Sequence, residues 1–322
     1  MAIVPLFGAG LADPMTDTKL DVDACEIKDL PTVETDVADL DVQLQALFGA
    51  YADLPGFVDV YYYGEDRPFG ATFIDAVPRE AFARAVDAPV TFQVMPQPTP
   101  LGPGATPSAS DVTCQGIARP GAMVNGVCTL AFVFTGNGGK TYISTAGHCI
   151  NGGQRASVPG LGQFGTAVFS TGDGGAGNDF ALIEVDADKV AFVSPEMCDA
   201  AGPAGQFAQG SINGRIIVHS GHGQGVGVGN SPTPPRPRLG VGSGWGANTF
   251  TFWGAGIPGD SGSGVRTGGP SVETAQALGT LTHLGCCDGT NIGTRITRGL
   301  ALASGAGISG LSLVTVDYVH GV

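Results

Sequence analysis

The stretch Thr141-Tyr-Ile-Ser-Thr-Ala-Gly-His-Cys149 joins a short β-type run to a tight turn that carries a histidine and a cysteine. β-branched and aromatic residues favour a strand in its first half, and the glycine marks the turn. Similar short runs lie between glycine-rich segments on either side of it, at 129–134, 181–185, 215–219, 249–253 and 278–284. This pattern predicts an all-β domain over residues 114–322, either one large sandwich or a pair of packed barrels.

The composition supports this fold class. Of 322 residues, 53 are glycine and 22 are proline, 43% are hydrophobic and only 14% are charged. The hydrophobic fraction is large enough to fill a substantial core, so the chain as a whole is not disordered. The low charge argues against helical bundles and coiled coils, whose long polar faces need many charged residues.

Three segments precede the all-β domain. Residues 1–39 form an acidic leader that begins MAIVPLFGAGLA, which is either the end of a shortened secretory signal or a plain disordered terminus. Residues 96–113 are rich in proline, glycine and serine and predict an exposed linker. Between them, residues 40–95 predict a small α+β module, with helices near 40–48 and 78–86 and strands near 57–63, 71–74 and 90–94.

The formal net charge of −14 is concentrated near the N-terminus. Residues 1–100 contain 17 acidic and 5 basic side chains, whereas residues 101–322 contain 12 and 10. Because neither part offers the basic face that phosphate binding requires, we expect no nucleic-acid partner. No apolar run reaches the ~18 residues needed to span a bilayer, so we expect no membrane association.

Three short motifs carry residues suited to nucleophilic catalysis. They are Thr145-Ala-Gly-His-Cys149, Asn178-Asp-Phe-Ala-Leu-Ile183 and Gly259-Asp-Ser-Gly-Ser-Gly264. A serine hydroxyl needs a base to remove its proton, and imidazole is that base when a buried carboxylate fixes its tautomer. Glycines around a serine let backbone N–H groups converge where an oxyanion would form. The order His, Asp, Ser along the chain is the one found in chymotrypsin.

These motifs resemble those of the chymotrypsin/trypsin family of serine proteases, closest in style to secreted bacterial members such as the streptogrisins and α-lytic protease. The resemblance covers about residues 114–322 and implies two packed six-stranded antiparallel barrels. It makes His148 the general base, Asp179 the orienting carboxylate and Ser261 the nucleophile, with the N–H groups of Gly259 and Ser261 as the oxyanion hole. It implies no cofactor and no metal, and we expect a monomer that acts on proteins or peptides.

The resemblance says less about substrate preference. It places Ala255 at the base of the S1 pocket, where trypsin-type enzymes have an aspartate, and it places His283 and Gly285 on the strand that binds substrate backbone. His283 either receives an acidic P1 side chain or is a strand histidine that hydrogen-bonds near the triad. Asp288 would instead favour a basic P1 residue. A small or medium apolar P1 residue is the third alternative.

The seven cysteines point to an oxidising compartment. The family resemblance pairs Cys128 with Cys149, and a loop of this length contributes roughly 3 kcal/mol in the chain-entropy model. The other five cannot all pair within the chain, and their pairing stays open: Cys25, Cys114, Cys198, Cys286 and Cys287. A protease with disulfides implies secretion.

The resemblance also suggests how the enzyme is controlled. Related bacterial proteases carry N-terminal pro-regions, and residues 13–113 match that arrangement in size and position, so we expect a pro-region that acts in cis. The alternative is a permanent accessory module. Asp260 is expected to pair with a side chain such as an arginine, because no Ile-Val-Gly-Gly stretch precedes Cys128. The sequence thus predicts a secreted serine endopeptidase; the alternative is a catalytically silent homologue that acts as a binding protein.

Overall fold

The chain folds mostly into antiparallel β-sheet in a computed structural model. The residues it describes are 40–53, 56–62, 69–73, 90–94, 99–100, 114–198, 200–208, 210–222, 238–268, 275–284 and 290–316. Within these ranges only two α-helices occur, so the all-β prediction for the main domain is confirmed. In chain order the helices are α1 (Leu40–Tyr51) and α2 (Ile296–Gly305), and the strands are β1 (Phe57–Tyr62), β2 (Phe69–Phe73), β3 (Val90–Val94), β4 (Thr99–Pro100), β5 (Met123–Val124), β6 (Cys128–Thr129), β7 (Val133–Thr135), β8 (Thr141–Thr145), β9 (Arg155–Val158), β10 (Gly162–Ser170), β11 (Ala181–Val185), β12 (Gly205–Gln206), β13 (Ile216–His219), β14 (Arg238–Gly246), β15 (Thr249–Gly254), β16 (Gly264–Thr267), β17 (Gln276–Leu284), β18 (Thr290–Arg295) and β19 (Ser312–Leu313).

One sheet contains six antiparallel strands in the order β19-β7-β8-β11-β10-β9. The hairpin β5–β6 lies against its β9 end, where the Asn125 N–H donates to the Ser157 carbonyl at 3.0 Å. The Asn125 side-chain oxygen accepts the Ser157 N–H in return, at 2.9 Å. Within the described part of the chain, the end strands β19 and β9 do not pair with each other, so this sheet is not a closed barrel. The β5–β6 hairpin lies at its β9 edge.

The second sheet contains a closed ring of six strands. The pairing runs β13-β16-β17-β18-β15-β14, and β14 pairs back onto β13. Each of these six pairings is antiparallel. The prediction of a six-stranded antiparallel barrel is therefore confirmed for this half of the domain. Large apolar side chains such as Phe250, Phe252 and Leu281 fill its interior and are fully buried.

The N-terminal module continues the second sheet instead of standing apart from it. Strand β1 pairs with the far end of β14, with Tyr61 opposite Gly246 and Tyr62 opposite Trp245. Helix α1 buries Leu40, Leu44, Leu47 and Tyr51, and these residues belong to the same apolar cluster as Trp245 and Phe250. Positions 40, 44, 47 and 51 recur at three or four residues, which places them on one helix face. The predicted helix near 78–86 lies outside the described residues.

Two residues of the predicted linker form a strand. β4 pairs antiparallel with the end of β17, so that Pro100 lies opposite His283 and Thr99 opposite Leu284. The linker residues 101–113 lie outside the described ranges. Among the described residues, no helix combines the length and the apolar character needed to cross a membrane.

Candidate active site

His148 is presented by a short 3-10 turn at the end of β8. The turn spans Gly147–Cys149 and follows directly from the strand that ends at Thr145. A side chain at Gly147 would run into the Gly172 carbonyl oxygen and the Thr171 hydroxyl, so only glycine fits there. Cys149 is bonded to Cys128, which ties the turn to β6. The histidine is thus held from both sides of its turn.

His148 lies between a carboxylate and a hydroxyl. Its Nδ1 is 2.6 Å from Asp179 Oδ2, and its Nε2 is 2.8 Å from Ser261 Oγ. The backbone N–H of His148 also donates to Asp179 Oδ1, at 3.1 Å. With Nδ1–H donated to the carboxylate, the Nε2 lone pair faces the serine hydroxyl, which is the tautomer a general base requires. The three residues predicted from separate motifs meet in one hydrogen-bonded row.

Strand pairing explains why His148 and Asp179 meet. β8 and β11 are neighbours, and Thr145 lies opposite Ala181. The last residue of β8 and the first residue of β11 therefore lie at the same edge of the sheet. Next to Asp179, the Arg298 side chain of α2 donates to Asn178 Oδ1, which fixes the residue before the carboxylate. Asp179 itself is fully buried.

Ser261 lies in a tight turn, residues 259–262, which we call the oxyanion turn. Gly259 and Gly262 have φ angles of 96° and 87°, values that favour glycine. The Thr129 N–H donates to the Ser261 carbonyl at 2.8 Å, and the Thr129 hydroxyl donates to the Gly259 carbonyl at 2.7 Å. The Gly259 and Ser261 carbonyls therefore both point towards Thr129, a residue of the β5–β6 hairpin.

Asp260, inside the oxyanion turn, forms an ion pair with Arg238 of β14. The carboxylate is fully buried, whereas the arginine side chain is 19% exposed. Asp260 Oδ2 also accepts the Ile257 N–H at 3.1 Å. An unpaired carboxylate at this depth would be costly, so the arginine both compensates the charge and holds the turn against β14.

The residues predicted to bind substrate lie in different surroundings. Ala255 is exposed, and its carbonyl accepts a hydrogen bond from His219 Nε2 at 3.0 Å. Burial lowers the pKa of His219 to about 3, so this histidine is neutral. His283 is only 1% exposed and lies beside Asp179, and Pro100 of β4 lies opposite it in the sheet. Gly285 and Asp288 lie outside the described residues.

Two disulfides are present in the described residues. Besides Cys128–Cys149, Cys114 is bonded to Cys198, a pair that the sequence left open. The second bond fastens the start of the domain to a segment 84 residues further along. Cys25, Cys286 and Cys287 lie outside the described residues.

Among the residues that the structure describes, three clusters have side chains that could bind a metal ion, and each includes residues whose contacts are given above. Two of them contain the bonded cysteine pairs, whose sulfurs are committed to each other. The third contains Asp173, Asp179 and His283. Asp179 already holds His148, so this cluster belongs to the site itself.

Sequence reasoning did not identify several residues that shape the site. Thr129 holds the oxyanion turn, Asp173 contacts His283, and Arg298 fixes Asn178. None lies within the three motifs. Asp173 is only six positions before Asp179, but a glycine-rich loop carries no periodicity from which a side-chain direction could be predicted.

Comparison with known proteins gives similarity at the level of fold. No family model matches the chain, and no curated protein sequence matches it. Among solved structures, Thermobifida fusca protease A is 21% identical with a TM-score of 0.43, over 62% of this chain and 100% of that one. A Nocardiopsis protease is 20% identical with a TM-score of 0.43, again over 62% and 100%.

A third solved structure, a glutamic acid specific serine protease that uses a histidine triad in substrate binding, is 19% identical with a TM-score of 0.39. The match covers 60% of this chain and 100% of that one. The solved structures to which this chain is similar include bacterial chymotrypsin-like serine proteases.

Proposed function

We propose that the protein is a secreted serine endopeptidase that hydrolyses peptide bonds through an acyl-enzyme intermediate. The observation that carries the proposal is the row Asp179–His148–Ser261, with contacts of 2.6 and 2.8 Å. His148 accepts the Ser261 proton as the hydroxyl attacks the scissile carbonyl, and then returns that proton to the leaving amine. Asp179 keeps the imidazole in place and stabilises its charged form.

The oxyanion turn supports the same chemistry. The Gly259 and Ser261 carbonyls both accept hydrogen bonds from Thr129, which fixes the conformation of the turn around Ser261. We infer that the N–H groups of Gly259 and Ser261 stabilise the oxyanion, where one donor contributes about 3–4 kcal/mol in related systems. Neither a cofactor nor a metal takes part in these steps.

Labelling with a serine-directed phosphonofluoridate tests the proposal. We expect the folded, mature protein to gain one adduct at Ser261, located by peptide mass spectrometry, with parallel loss of peptide hydrolysis. Ser261→Ala should take up no label, and Ser304→Ala, a control at an exposed position of α2, should still be labelled. The alternative function, a silent homologue that binds a partner, would follow if Ser261 stays unmodified while the protein is folded.

We further propose that the N-terminal region acts in cis as a pro-region. Thr99–Pro100 runs antiparallel to the end of β17, the strand that the family resemblance assigns to substrate backbone. A chain segment in this position competes with substrate for the same backbone hydrogen bonds. Comparing the masses of the full chain and its Ser261→Ala form tests this: Ser261-dependent loss of about the first 110 residues supports a pro-region, and an intact, active full-length enzyme overturns it.

For substrate preference, we propose a small or medium apolar P1 residue. Ala255 offers no charge, and His283 is buried beside Asp179. A cleavage profile with a peptide library measures this preference directly. Predominant cleavage after glutamate, lysine or arginine would contradict it.

A further inference from the structure

Strand β17 is irregular where it passes the active site. Its pairing with β18 shifts register between Leu281 and His283, so one residue, Thr282, lacks a paired partner across the ladder. Such a bulge redirects the side chains that follow it. Here it turns His283 inwards, where the side chain is 1% exposed.

The buried His283 ring has three polar neighbours. Its Nε2 is 3.4 Å from Asp173 Oδ1, and its Nδ1 is 2.8 Å from the Thr282 hydroxyl. The same Nδ1 is 3.9 Å from Asp179 Oδ2, the oxygen that contacts His148. The ring centres of His148 and His283 are 6.4 Å apart. Two carboxylates and two imidazoles therefore alternate across the site.

We propose that Asp173 and His283 form a second carboxylate–imidazole pair that positions the Asp179 carboxylate and is electrostatically coupled to His148. This inference deepens the proposed peptidase function and rests on it. His283 is a positioning residue, because its ring touches no reacting atom and acts through Asp179. Asp173, whose side chain is 50% exposed, anchors the ring from the solvent side.

The hydrogen bonds allow His283 to exist in two protonation states. A neutral ring with its proton on Nε2 faces Asp173 as a donor and accepts the Thr282 hydroxyl at Nδ1. A second proton makes Nδ1 a donor, and the Thr282 hydroxyl then turns to the Ile292 carbonyl, 3.3 Å away. The two protonation states differ only in the direction of the Thr282 hydroxyl hydrogen, and the side-chain heavy atoms keep the same positions in both.

The charged and titratable groups that face His283 are Asp173, Asp179 and His148. Burial lowers the pKa of His283, while the two carboxylates oppose that shift and His148 adds to it. At neutral pH His283 is thus an uncharged ring that lies beside Asp179.

The titration can be followed by NMR of the histidine ring protons in the full chain carrying Ser261→Ala. We expect the His283 ring to titrate below the usual histidine range, because burial lowers its pKa. Asp173→Asn should lower the His283 midpoint further, because it removes a carboxylate that favours the charged ring. Asp188→Asn, at a well exposed position of the same sheet domain, should leave the midpoint unchanged and is the matched control.

Kinetics of the active protein provide the second readout. We expect His283→Gln to lower kcat by about tenfold while KM changes little, since positioning of the base is lost and substrate contacts are kept. Equal His283 midpoints in Asp173→Asn and Asp188→Asn would overturn the pairing. These titrations need no turnover, so they remain decisive even if Ser261 labelling fails and the peptidase proposal falls.

Discussion

Asp59 lies in β1 but serves the neighbouring barrel. Its Oδ2 accepts the N–H groups of Asn248 and Thr249 at 3.0 and 2.8 Å, and the Thr249 hydroxyl at 2.7 Å. Its Oδ1 accepts the Val60 N–H at 2.8 Å. The carboxylate is fully buried and caps the turn between β14 and β15. It is therefore one of the contacts that hold the N-terminal module on the barrel.

Burial raises the pKa of Asp59 from 3.8 to about 6, against the opposing effect of its four hydrogen bonds. A raised carboxyl pKa means that the folded state binds the proton more tightly than the unfolded state. The stabilisation is therefore complete below about pH 4 and is lost as the pH rises towards 6. At about 1.4 kcal/mol per pKa unit, a buried carboxylate with this shift changes the free energy of unfolding by about 3 kcal/mol across that window.

Asp59→Asn removes this titration and keeps an acceptor for Asn248 and Thr249. Its amide group must then face the Val60 N–H, which costs about 1–3 kcal/mol at every pH. We expect the variant to be less stable than the parent at pH 4 and to regain about 3 kcal/mol relative to it by pH 7.

Urea unfolding of the full chain carrying Ser261→Ala, from pH 4 to pH 7, measures this difference without self-cleavage. Asp53→Asn, at an exposed position of the same module, is the control and should follow the parent. A difference between Asp59→Asn and the parent that stays constant with pH would refute the reasoning. A difference that grows with pH in favour of the parent would show that the hydrogen bonds outweigh desolvation.

Three other changes test contacts around the site. Thr129→Val removes the hydroxyl that holds the oxyanion turn, and we expect kcat to fall by tenfold or more with little change in KM; an unchanged kcat would contradict that role. Arg238→Gln leaves Asp260 buried without its ion pair and should lower the free energy of unfolding, measured with urea, by about 3–5 kcal/mol. The double variant with Asp260→Asn should recover part of that loss, because it removes the unpaired buried charge. Replacing Cys128 and Cys149 together by serine should cost about 3 kcal/mol for a loop of 21 residues, and a melting curve like that of the parent would refute the estimate.

The sequence was most informative where candidate site residues lie in tight turns. His148 and Ser261 each lie in turns that require glycine on steric grounds, so short motifs were enough to identify them. Alternating short strands and glycine-rich turns likewise predicted the fold class. Both features depend only on residues close together in the chain, so they can be recognised from one sequence.

Contacts between distant segments could not be predicted in the same way. The inward direction of His283 depends on a register shift between β17 and β18, and nothing in the sequence of either strand marks it. The pairing of β1 with β14 likewise depends on the end of β14 that extends beyond its pairing with β13 in the folded barrel. The Cys114–Cys198 bond was one of several pairings that composition allowed.

The attachment of the N-terminal module also has a kinetic consequence. Asp59 reaches Thr249 across 190 residues of chain, and Asp41 reaches Arg295 across 254. Contacts between residues so far apart in sequence close large loops of chain. Proteins with many such contacts fold slowly, because the chain loses conformational entropy before each contact forms. The β14–β15 hairpin closes over only a few residues and can form early. The surface that receives the module also includes Arg295 of β18, so the module can dock fully only after β18 has joined this hairpin.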